Sequence, residues 1–374
     1  MKNDVIYLDN ASTTKVYPAV VREMNQCFVD DYGNAGSANS MGEKALEIVN
    51  ESRKKIALEL GCKSNEIYFT SGATESNNLA LFGVVNANKD KKRNKIIISK
   101  IEHSSIYEPA MELRRQGYDV KEVNVNDDGL LDMEELEREV DSKTLIVSIV
   151  HANNEIGVLQ NLSKMGKICK KKGVVFHTDC AQSFGKVKIK AKDFGIDILS
   201  ACAHKIHGPK GIGLLFVRDG ILISPIIYGG EQEKGIRPGT ENVAGIVGFC
   251  KTLEIINKAD KEKIKNLRDY FMEELEKIRG KINGSREERL YNNVNVCFLG
   301  FDADEIVLRL SLKVIMCSAR SACLNKMKNE NRVLSAIGLD NKQIKGSLRF
   351  VLSEFNTKKE IDYTINALRE IVKV

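Results

Sequence analysis

Lys205 is the residue whose surroundings point most directly to chemistry. It lies in the segment AHKIHGPKG (203–211), between an apolar stretch and a glycine-rich turn, with His204 and His207 beside it. A lysine held in a partly desolvated site near other cations has a lowered pKa, and its neutral amine is a nucleophile for carbonyl groups. A surface position, which is usual for lysine, fits these apolar flanks poorly. The segment therefore indicates a reactive amine.

Two further polar residues follow apolar stretches, and each has an ordinary alternative. Asp179 ends the stretch VVFHTD, where an unpaired carboxylate is costly, so it needs a cationic partner. A protonated pyridine nitrogen is one candidate partner, and a salt bridge to a lysine or arginine is the alternative. His103, in KIEHSS, is either a functional residue or a hydrogen-bonded core histidine. The residues alone leave both questions open.

The segment SGATES (71–76) places small and hydroxyl-bearing residues at a strand-to-helix junction. Backbone N–H groups at a helix N-terminus bind anions, and Gly72 allows a ligand to approach closely. The alternative is an ordinary capped helix, with Ser71 or Thr74 as the cap and Glu75 in the first turn. Because the chain has no G-x-G-x-x-G opening its first β-α unit and no G-x-x-x-x-G-K-[ST], Rossmann and P-loop interpretations lose their main support.

The elements that must position these residues indicate an α/β fold. Short apolar runs alternate with amphipathic segments, which predicts a mostly parallel sheet with helices on both faces. Strands are predicted at 66–70, 95–99, 144–150, 174–178, 197–201 and 213–217. Helices are predicted between them at 75–86, 105–116, 132–140 and 161–171. Because the carboxyl ends of parallel strands meet at one edge, the polar segments that follow five of these strands predict one large pocket.

The pattern changes after Val243. A charge-rich stretch, roughly 244–281, is predicted as one long helix, and a few mixed strands and a last amphipathic helix near 358–372 follow it. This order predicts a smaller α+β domain joined to the first by the long helix.

Composition excludes several classes of protein. Of 374 residues, 43% are hydrophobic and 29% charged, and no apolar run approaches the ~20 residues that cross a bilayer. The net charge of +6 is dispersed, and the run KDKKRNK (89–95) is typical of a solvated loop, so we expect no nucleic-acid binding. Nine scattered cysteines without CxxC or zinc spacing indicate neither a disulfide framework nor a metal. The N-terminus lacks a secretory signal, which predicts a cytoplasmic protein.

Nine short motifs together resemble those of the cysteine desulfurases, pyridoxal-phosphate enzymes of fold type I in the class V aminotransferase group. The motifs are YLDNASTT (7–14), GATESNN (72–78), EH (102–103), HANNEIG (151–157), HTDCAQS (177–183), AHKIHGPKG (203–211), RPGTEN (237–242), SARSAC (318–323) and SLRF (347–350). The resemblance implies conversion of L-cysteine to L-alanine, with the sulfur passing to an enzyme cysteine as a persulfide. It also implies a sulfur-acceptor protein, in iron–sulfur cluster assembly or tRNA thiolation.

The resemblance further implies a domain division and the residues that do the chemistry. The cofactor-binding domain would span 15–257, and the small domain 1–14 and 258–374. Lys205 would bind pyridoxal 5′-phosphate covalently, His103 would stack on its ring and transfer protons, and Cys323 would be the catalytic cysteine. Asp179 would pair with the pyridine nitrogen, which keeps the ring electron-poor. Gln182 would hydrogen-bond the ring oxygen.

The remaining residues implied by the resemblance contact phosphate or substrate. The phosphate contacts would come from Ala73, Thr74, Cys202 and His204. Thr240 would reach the phosphate of a neighbouring subunit, which implies a homodimer with shared active sites. Arg349 would bind the substrate carboxylate, because a bidentate arginine fits a planar carboxylate. Asn154, which also lies in the cofactor set, and Asn34 would help it.

Four positions depart from the family pattern: Cys202, where a serine is usual, Asn39, Glu231 and Arg320. Their effects are open at this stage. The alternatives within enzymes are selenocysteine lyase and cysteine sulfinate activity, which share the cofactor residues. A non-catalytic sulfur-relay paralogue is the alternative from another class. A plain aminotransferase is disfavoured because it has no use for a loop cysteine.

Overall fold

A computed structural model describes residues 5–88, 92–319 and 332–373. Its strands are β1 (Ile6–Tyr7), β2 (Ile67–Thr70), β3 (Lys95–Ser99), β4 (Asp119–Val123), β5 (Thr144–Val150), β6 (Val175–Asp179), β7 (Ile198–Cys202), β8 (Gly213–Val217), β9 (Lys281–Ile282), β10 (Asn293–Cys297), β11 (Ile315–Met316), β12 (Ser318–Ala319) and β13 (Ser347–Val351). Its α-helices are α1 (Pro18–Val29), α2 (Ser40–Leu60), α3 (Ala73–Ala87), α4 (Ser104–Arg115), α5 (Met133–Glu139), α6 (Leu162–Lys172), α7 (Val243–Ile256), α8 (Lys261–Lys277), α9 (Ala303–Leu312), α10 (Arg332–Ala336), α11 (Asn341–Lys345) and α12 (Lys358–Val372).

The large sheet has seven strands over the described residues, in the order β2-β8-β7-β6-β5-β3-β4. β8 runs antiparallel to both of its neighbours, and every other pair in this sheet is parallel. Successive residues of the central strands face opposite sides: Ile97 packs with α2, α5, α6 and α7, whereas Ile96 and Ile98 pack with α3 and α4. Burial on both faces explains the continuous apolar runs, and the predicted mostly parallel sheet is confirmed.

The strands and helices that the sequence predicted between residues 66 and 217 lie within two residues of their predicted bounds at either end. The sequence analysis did not predict α1 and α2, and two further differences concern β4 and the stretch 244–281. β4 was not predicted, because it is a short edge strand in which charged residues alternate with two buried valines. The single long helix predicted over 244–281 is wrong. Two helices, α7 and α8, occupy this stretch, and the break comes at Asp260, whose carboxylate accepts the backbone N–H of Lys263 at 3.0 Å and starts α8.

The second part of the chain forms a smaller α+β unit. β12-β13-β10-β9 is an antiparallel sheet, and β1 pairs in parallel with β11. Ile6 and Leu8 belong to the same apolar cluster as α8, α9 and α12, so the N-terminal strand packs with the C-terminal part of the chain. This shared core supports the domain division at 14 and 257, which stays a prediction.

The segment that follows β1 joins the two parts. The Val351 N–H donates to the Leu8 carbonyl at 2.7 Å in the small unit. Further along, the Thr14 hydroxyl donates to the His204 carbonyl at 2.9 Å in the large one. Within the described ranges, no helix is long and apolar enough to span a membrane.

Gly213 sets the distance between β8 and the start of α3. A Cβ at this position would come within 2.6 Å of the Gly72 Cα and 2.7 Å of the Ala201 carbonyl oxygen. We expect Gly213→Ala to lower the free energy of unfolding by about 1–3 kcal/mol, because backbone atoms must move. Urea denaturation of the purified protein measures this change.

Gly36→Ala is the matched control, since its Cβ would meet only the Asn34 side-chain oxygen, at 3.3 Å. We expect that variant to stay within about 0.5 kcal/mol of wild type. Equal unfolding midpoints for the two variants would contradict the close packing of Gly213.

Candidate active site

A cavity of about 500 Å³ lies at the carboxyl ends of β2, β3, β5, β6 and β7, the edge at which the sequence predicts a pocket. Polar segments from five strand ends contribute to its lining, together with residues of the N-terminal segment. Nine of the residues singled out in the sequence line it: Ala73, Thr74, His103, Asn154, Asp179, Gln182, Cys202, His204 and Lys205. Chain topology therefore gathers residues that are up to 132 positions apart.

The other predicted site residues lie elsewhere. Asn34 is exposed, and its side-chain oxygen accepts the Gly36 N–H at 2.9 Å. Thr240 is also exposed, and Arg349 is buried behind the cavity wall. Cys323 and Arg320 lie outside the described residues.

Asp179 is a buried carboxylate whose charge is not balanced by the described residues. It is 3% exposed, and it accepts the Ala181 N–H at 2.8 Å and the Asn77 side-chain N–H at 2.7 Å. In the described ranges it forms no ion pair with a lysine, arginine or histidine, so the salt-bridge alternative is not what these residues show. A buried anion at a cavity wall fits a ligand that brings a positive charge.

Hydrogen bonds connect Asp179 to His103. Asn77 Nδ2 donates both to Asp179 and to the Ser105 hydroxyl oxygen, at 2.8 Å. The Ser105 hydroxyl lies 2.8 Å from His103 Nδ1, which also accepts the Ser105 backbone N–H at 3.1 Å and so caps α4. Because Nδ1 is an acceptor, the neutral ring carries its proton on Nε2. Burial lowers the pKa of His103, which favours this neutral form.

The sequence analysis did not single out Asn77 and Ser105, although both stand inside quoted motifs. They are 28 positions apart and meet only because α3 and α4 cover the same face of the sheet. Local pattern held no signal for this contact.

The amine of Lys205 is held by backbone oxygens of the N-terminal segment. Its Nζ donates to the carbonyls of Ala11 at 2.5 Å and Ser12 at 2.8 Å. Burial lowers the pKa of Lys205, and the positive charge of Arg349 acts in the same direction. The direction of this shift is the one that the apolar flanks predict, and it favours the neutral, nucleophilic form of the amine. Ser12 and Thr13 line the cavity as well, and the sequence analysis had not assigned them individually.

The start of α3 forms one end of the cavity, where the sequence predicts an anion. The N-cap is Gly72 and no side chain caps the helix, so the alternative with Ser71 or Thr74 as the cap is wrong. Glu75 instead accepts the Ser71 N–H at 2.7 Å and pairs with Arg237 at 2.9 Å. Burial acts to raise the pKa of Glu75, but these hydrogen bonds lower it overall. No side chain therefore caps the first turn of α3, and its residues Ala73, Thr74 and Glu75 line the cavity.

The neighbouring lining residues are consistent with an anion at this end. Burial raises the pKa of the Cys202 thiol to about 11, so the residue that replaces the usual serine is a neutral thiol. Burial lowers the pKa of His204 to about 4, which makes it a neutral donor or acceptor beside Thr13. Lys210 adds a positive charge to the lining.

Arg349 lies directly behind the cavity wall. Nη2 donates to Asp9 and to the Ser12 hydroxyl, both at 2.8 Å, and Nη1 donates to the Asn154 carbonyl at 3.1 Å. Its buried Nε has no hydrogen-bond partner among the described residues. Asp9 also accepts the Ser318 hydroxyl at 2.9 Å, so one carboxylate holds the guanidinium and the strand that precedes residues 320–331.

Comparisons with known proteins agree with this site. The family model for aminotransferase class V matches residues 6–364. Cysteine desulfurase IscS of Dictyoglomus turgidum is 40% identical over 378 residues, which cover 100% of this chain and 95% of that protein. A solved NifS-like protein superposes with a TM-score of 0.93 at 36% identity, covering 99% of this chain and 100% of that one. The structure of SspA in complex with cysteine has a TM-score of 0.82 at 32% identity, covering 94% and 100%.

A family match over nearly the whole chain defines a class V aminotransferase fold, and the α/β sheet with its polar strand ends is the architecture expected for it. The chain belongs to the class V aminotransferase family, and within that family to the cysteine desulfurases.

The buried histidines predict how stability depends on pH. Burial lowers the pKa of His151 and His204 to about 4 and that of His177 to about 3, from an ordinary value near 6.5. Each is neutral when folded and gains a proton on unfolding, so its contribution is present above pH 6.5 and is lost as pH falls toward 4. Burial raises the pKa of Glu102 to about 7, which opposes this trend by one proton.

We therefore expect the free energy of unfolding, from urea titrations between pH 6.5 and 4.5, to fall with pH. His177 accounts for about 1.4 kcal/mol per pH unit of that slope. Because its ring lies between the Ser148 and Ser200 hydroxyls, His177→Gln is the informative variant. A slope that is the same in wild type and His177→Gln would contradict the assignment of a neutral buried ring.

Proposed function

We propose that this protein is a cysteine desulfurase that converts L-cysteine to L-alanine and passes the sulfur to Cys323 as a persulfide. The observation that carries the proposal is a single cavity in which an uncompensated carboxylate, Asp179, and an amine with a lowered pKa, Lys205, both lie. Full-length relatives named cysteine desulfurase support the same reaction. Cys323 lies outside the described residues, so its part rests on the family motif.

Pyridoxal 5′-phosphate fits the residues present. The Asp179 carboxylate would hold its protonated ring nitrogen, Gln182 its ring oxygen, and the first turn of α3 its phosphate. Lys205 would bind its aldehyde carbon. When bound, this cofactor supplies an electron-poor ring that withdraws charge from an attached amino acid.

The residues of this chain then bind the amino acid and handle its protons. Burial lowers the pKa of Lys205, which favours the neutral amine that attacks a carbonyl carbon and can afterwards move a proton. His103 holds a proton at Nε2, because Nδ1 is engaged by Ser105. Arg349 contacts the lining residues Ser12 and Asn154, and we propose, as the family resemblance implies, that it binds the substrate carboxylate at this part of the cavity.

The substrate and the sulfur step follow from the family. The solved SspA is in complex with cysteine, and L-cysteine is the substrate we propose for this chain. The Cys323 thiolate would form a bond to the substrate sulfur as the carbon–sulfur bond breaks, and a proton would replace sulfur on that carbon. The products are L-alanine and a persulfide, which conserves atoms and electrons. We propose an iron–sulfur scaffold or a tRNA-thiolation enzyme as the next acceptor.

A homodimer is part of the proposal. Thr240 is exposed on this chain, and the preceding segment is tied to α3 through the Arg237–Glu75 pair. This placement supports a role for Thr240 at the phosphate of a neighbouring subunit, and it accounts for its absence from the lining of its own cavity.

Incubation with L-cysteine and a thiol reductant tests the reaction. We expect equal amounts of alanine and sulfide from wild type, and loss of at least ~100-fold of both from Cys323→Ala, because no thiolate remains to take the sulfur. Cys62→Ser is the matched control, since Cys62 lines a different cavity and burial raises its pKa to about 12. Its rate should stay within about twofold of wild type.

The same assay separates the alternatives. Selenocysteine lyase or cysteine sulfinate activity would replace desulfuration if two results occurred together. Wild type would release no alanine from L-cysteine, and Cys323→Ala would still release alanine from selenocysteine or cysteine sulfinate. A wild-type protein that binds the cofactor and yields neither product from any of the three substrates would indicate a sulfur-relay role.

Asp179→Asn tests the cofactor assignment separately. Removing the anion removes the partner of the ring nitrogen, so we expect the dissociation constant for pyridoxal 5′-phosphate to rise at least ~10-fold, corresponding to about 1.4 kcal/mol. Absorbance of the protein titrated with cofactor measures it, and urea unfolding of the cofactor-free variant checks the fold. Unchanged cofactor affinity in the folded variant would contradict the role of Asp179.

A further inference from the structure

Lys186 is a buried lysine that the proposed reaction does not use. It is 5% exposed, and no aspartate or glutamate forms an ion pair with it within the described ranges. Its Nζ donates instead to the side-chain oxygen of Gln182, at 3.5 Å. A buried lysine without an acidic partner is costly, and such groups occur mainly where they serve a site.

Gln182 connects this lysine to the cofactor cavity. Gln182 lines the cavity, and its Nε2 donates to the Ala11 carbonyl at 2.9 Å, the same oxygen that accepts Lys205. The amide of Gln182 therefore has one N–H committed to Ala11 and its oxygen committed to Lys186, which leaves the second N–H for a ligand. Among the described residues, Lys186 is the sole side-chain donor to that oxygen.

A second, small cavity places Lys186 behind the reactive amine. This space of about 10 Å³, roughly one water molecule, is lined by both Lys186 and Lys205. Glu354, Tyr17 and His207 also line it, together with apolar residues such as Ile264 and Leu352. Burial, with the charge of Lys205, lowers the pKa of Lys186 to about 7, and both of its protonation states can donate to Gln182.

We propose that Lys186 is a positioning residue for the cofactor: it holds the Gln182 side-chain oxygen inside the protein so that the free N–H of Gln182 faces the ring oxygen. The inference rests on the proposed function, because it names a residue that acts on the same cofactor site. Without Lys186, the buried oxygen would lack a donor and the amide would turn it toward the cavity, where solvent satisfies it. Cofactor binding must then reverse that rotation, and the free energy this costs lowers the affinity for the cofactor.

A double-mutant cycle tests this. The dissociation constant for pyridoxal 5′-phosphate is measured by absorbance titration of the cofactor-free protein, without substrate, in wild type, Lys186→Met, Gln182→Ala and the double variant. We expect Lys186→Met to weaken binding about tenfold, the effect of one unpaired buried acceptor. In the Gln182→Ala background, the same change should have less than about twofold effect, because Lys186 acts through Gln182.

Lys261→Met is the matched control. Lys261 is half-buried near the same turn and donates to the Gly185 carbonyl at 2.9 Å, but it lines neither cavity. We expect its cofactor affinity to equal that of wild type. Should Lys186→Met fail to fold, Lys186→Gln replaces it in the cycle, because its shorter side chain withdraws the donor from a contact that is already 3.5 Å long.

Unchanged affinity in Lys186→Met, or an equal loss in both backgrounds, overturns the positioning role while leaving the proposed function intact. A wild-type protein that binds no cofactor overturns the proposed function and this inference together. Tenfold weakening that disappears in Gln182→Ala supports the inference.

Discussion

The site is organised around one buried negative charge. Asp179 keeps its carboxylate at the end of β6 because a backbone N–H and the Asn77 side chain donate to it, yet the described residues bring no cation against it. Around this anion, burial favours the neutral forms of His103, His204 and the Cys202 thiol. A buried carboxylate that forms no ion pair among the described residues, and whose hydrogen-bond donors are uncharged, is suited to a cationic ring.

The N-terminal segment is the second constraint, because it contacts both Lys205 and Arg349, which act on different parts of the substrate in the proposed reaction. The Ala11 carbonyl accepts the Lys205 amine and the Gln182 amide, and two residues earlier Asp9 pairs with Arg349. Lys205 and Arg349, which we propose bind the cofactor aldehyde and the substrate carboxylate, are thus both held by residues 9–12, which form a turn. Movement of the small unit relative to the large one would therefore alter the position of Arg349 and the environment of Lys205 together.

Several parts of the fold and site followed from pattern. The strands β3, β5 and β8 coincide with apolar runs, and polar residues after β3 and β5 line the predicted pocket. The apolar flanks of Lys205 predicted that the pKa of its amine is lowered. The sequence pattern failed at two places where its signal was weak or misleading. β4 mixes charged and apolar residues at the sheet edge. The stretch around Asp260 has helix-forming composition, but Asp260 caps a new helix there and so divides the predicted long helix in two.

The sequence by itself determined the type of fold, the order of its motifs and the chemical classes of residue at the strand ends, because hydrophobic periodicity and local polarity are properties of short stretches. Only the tertiary structure decided that Asn77 joins Asp179 to Ser105, that Ser12 holds both Lys205 and Arg349, and that Lys186 lies behind Gln182. These contacts join residues far apart in the chain or on different faces of a turn. Their geometry depends on how strands and helices pack, which no local pattern encodes.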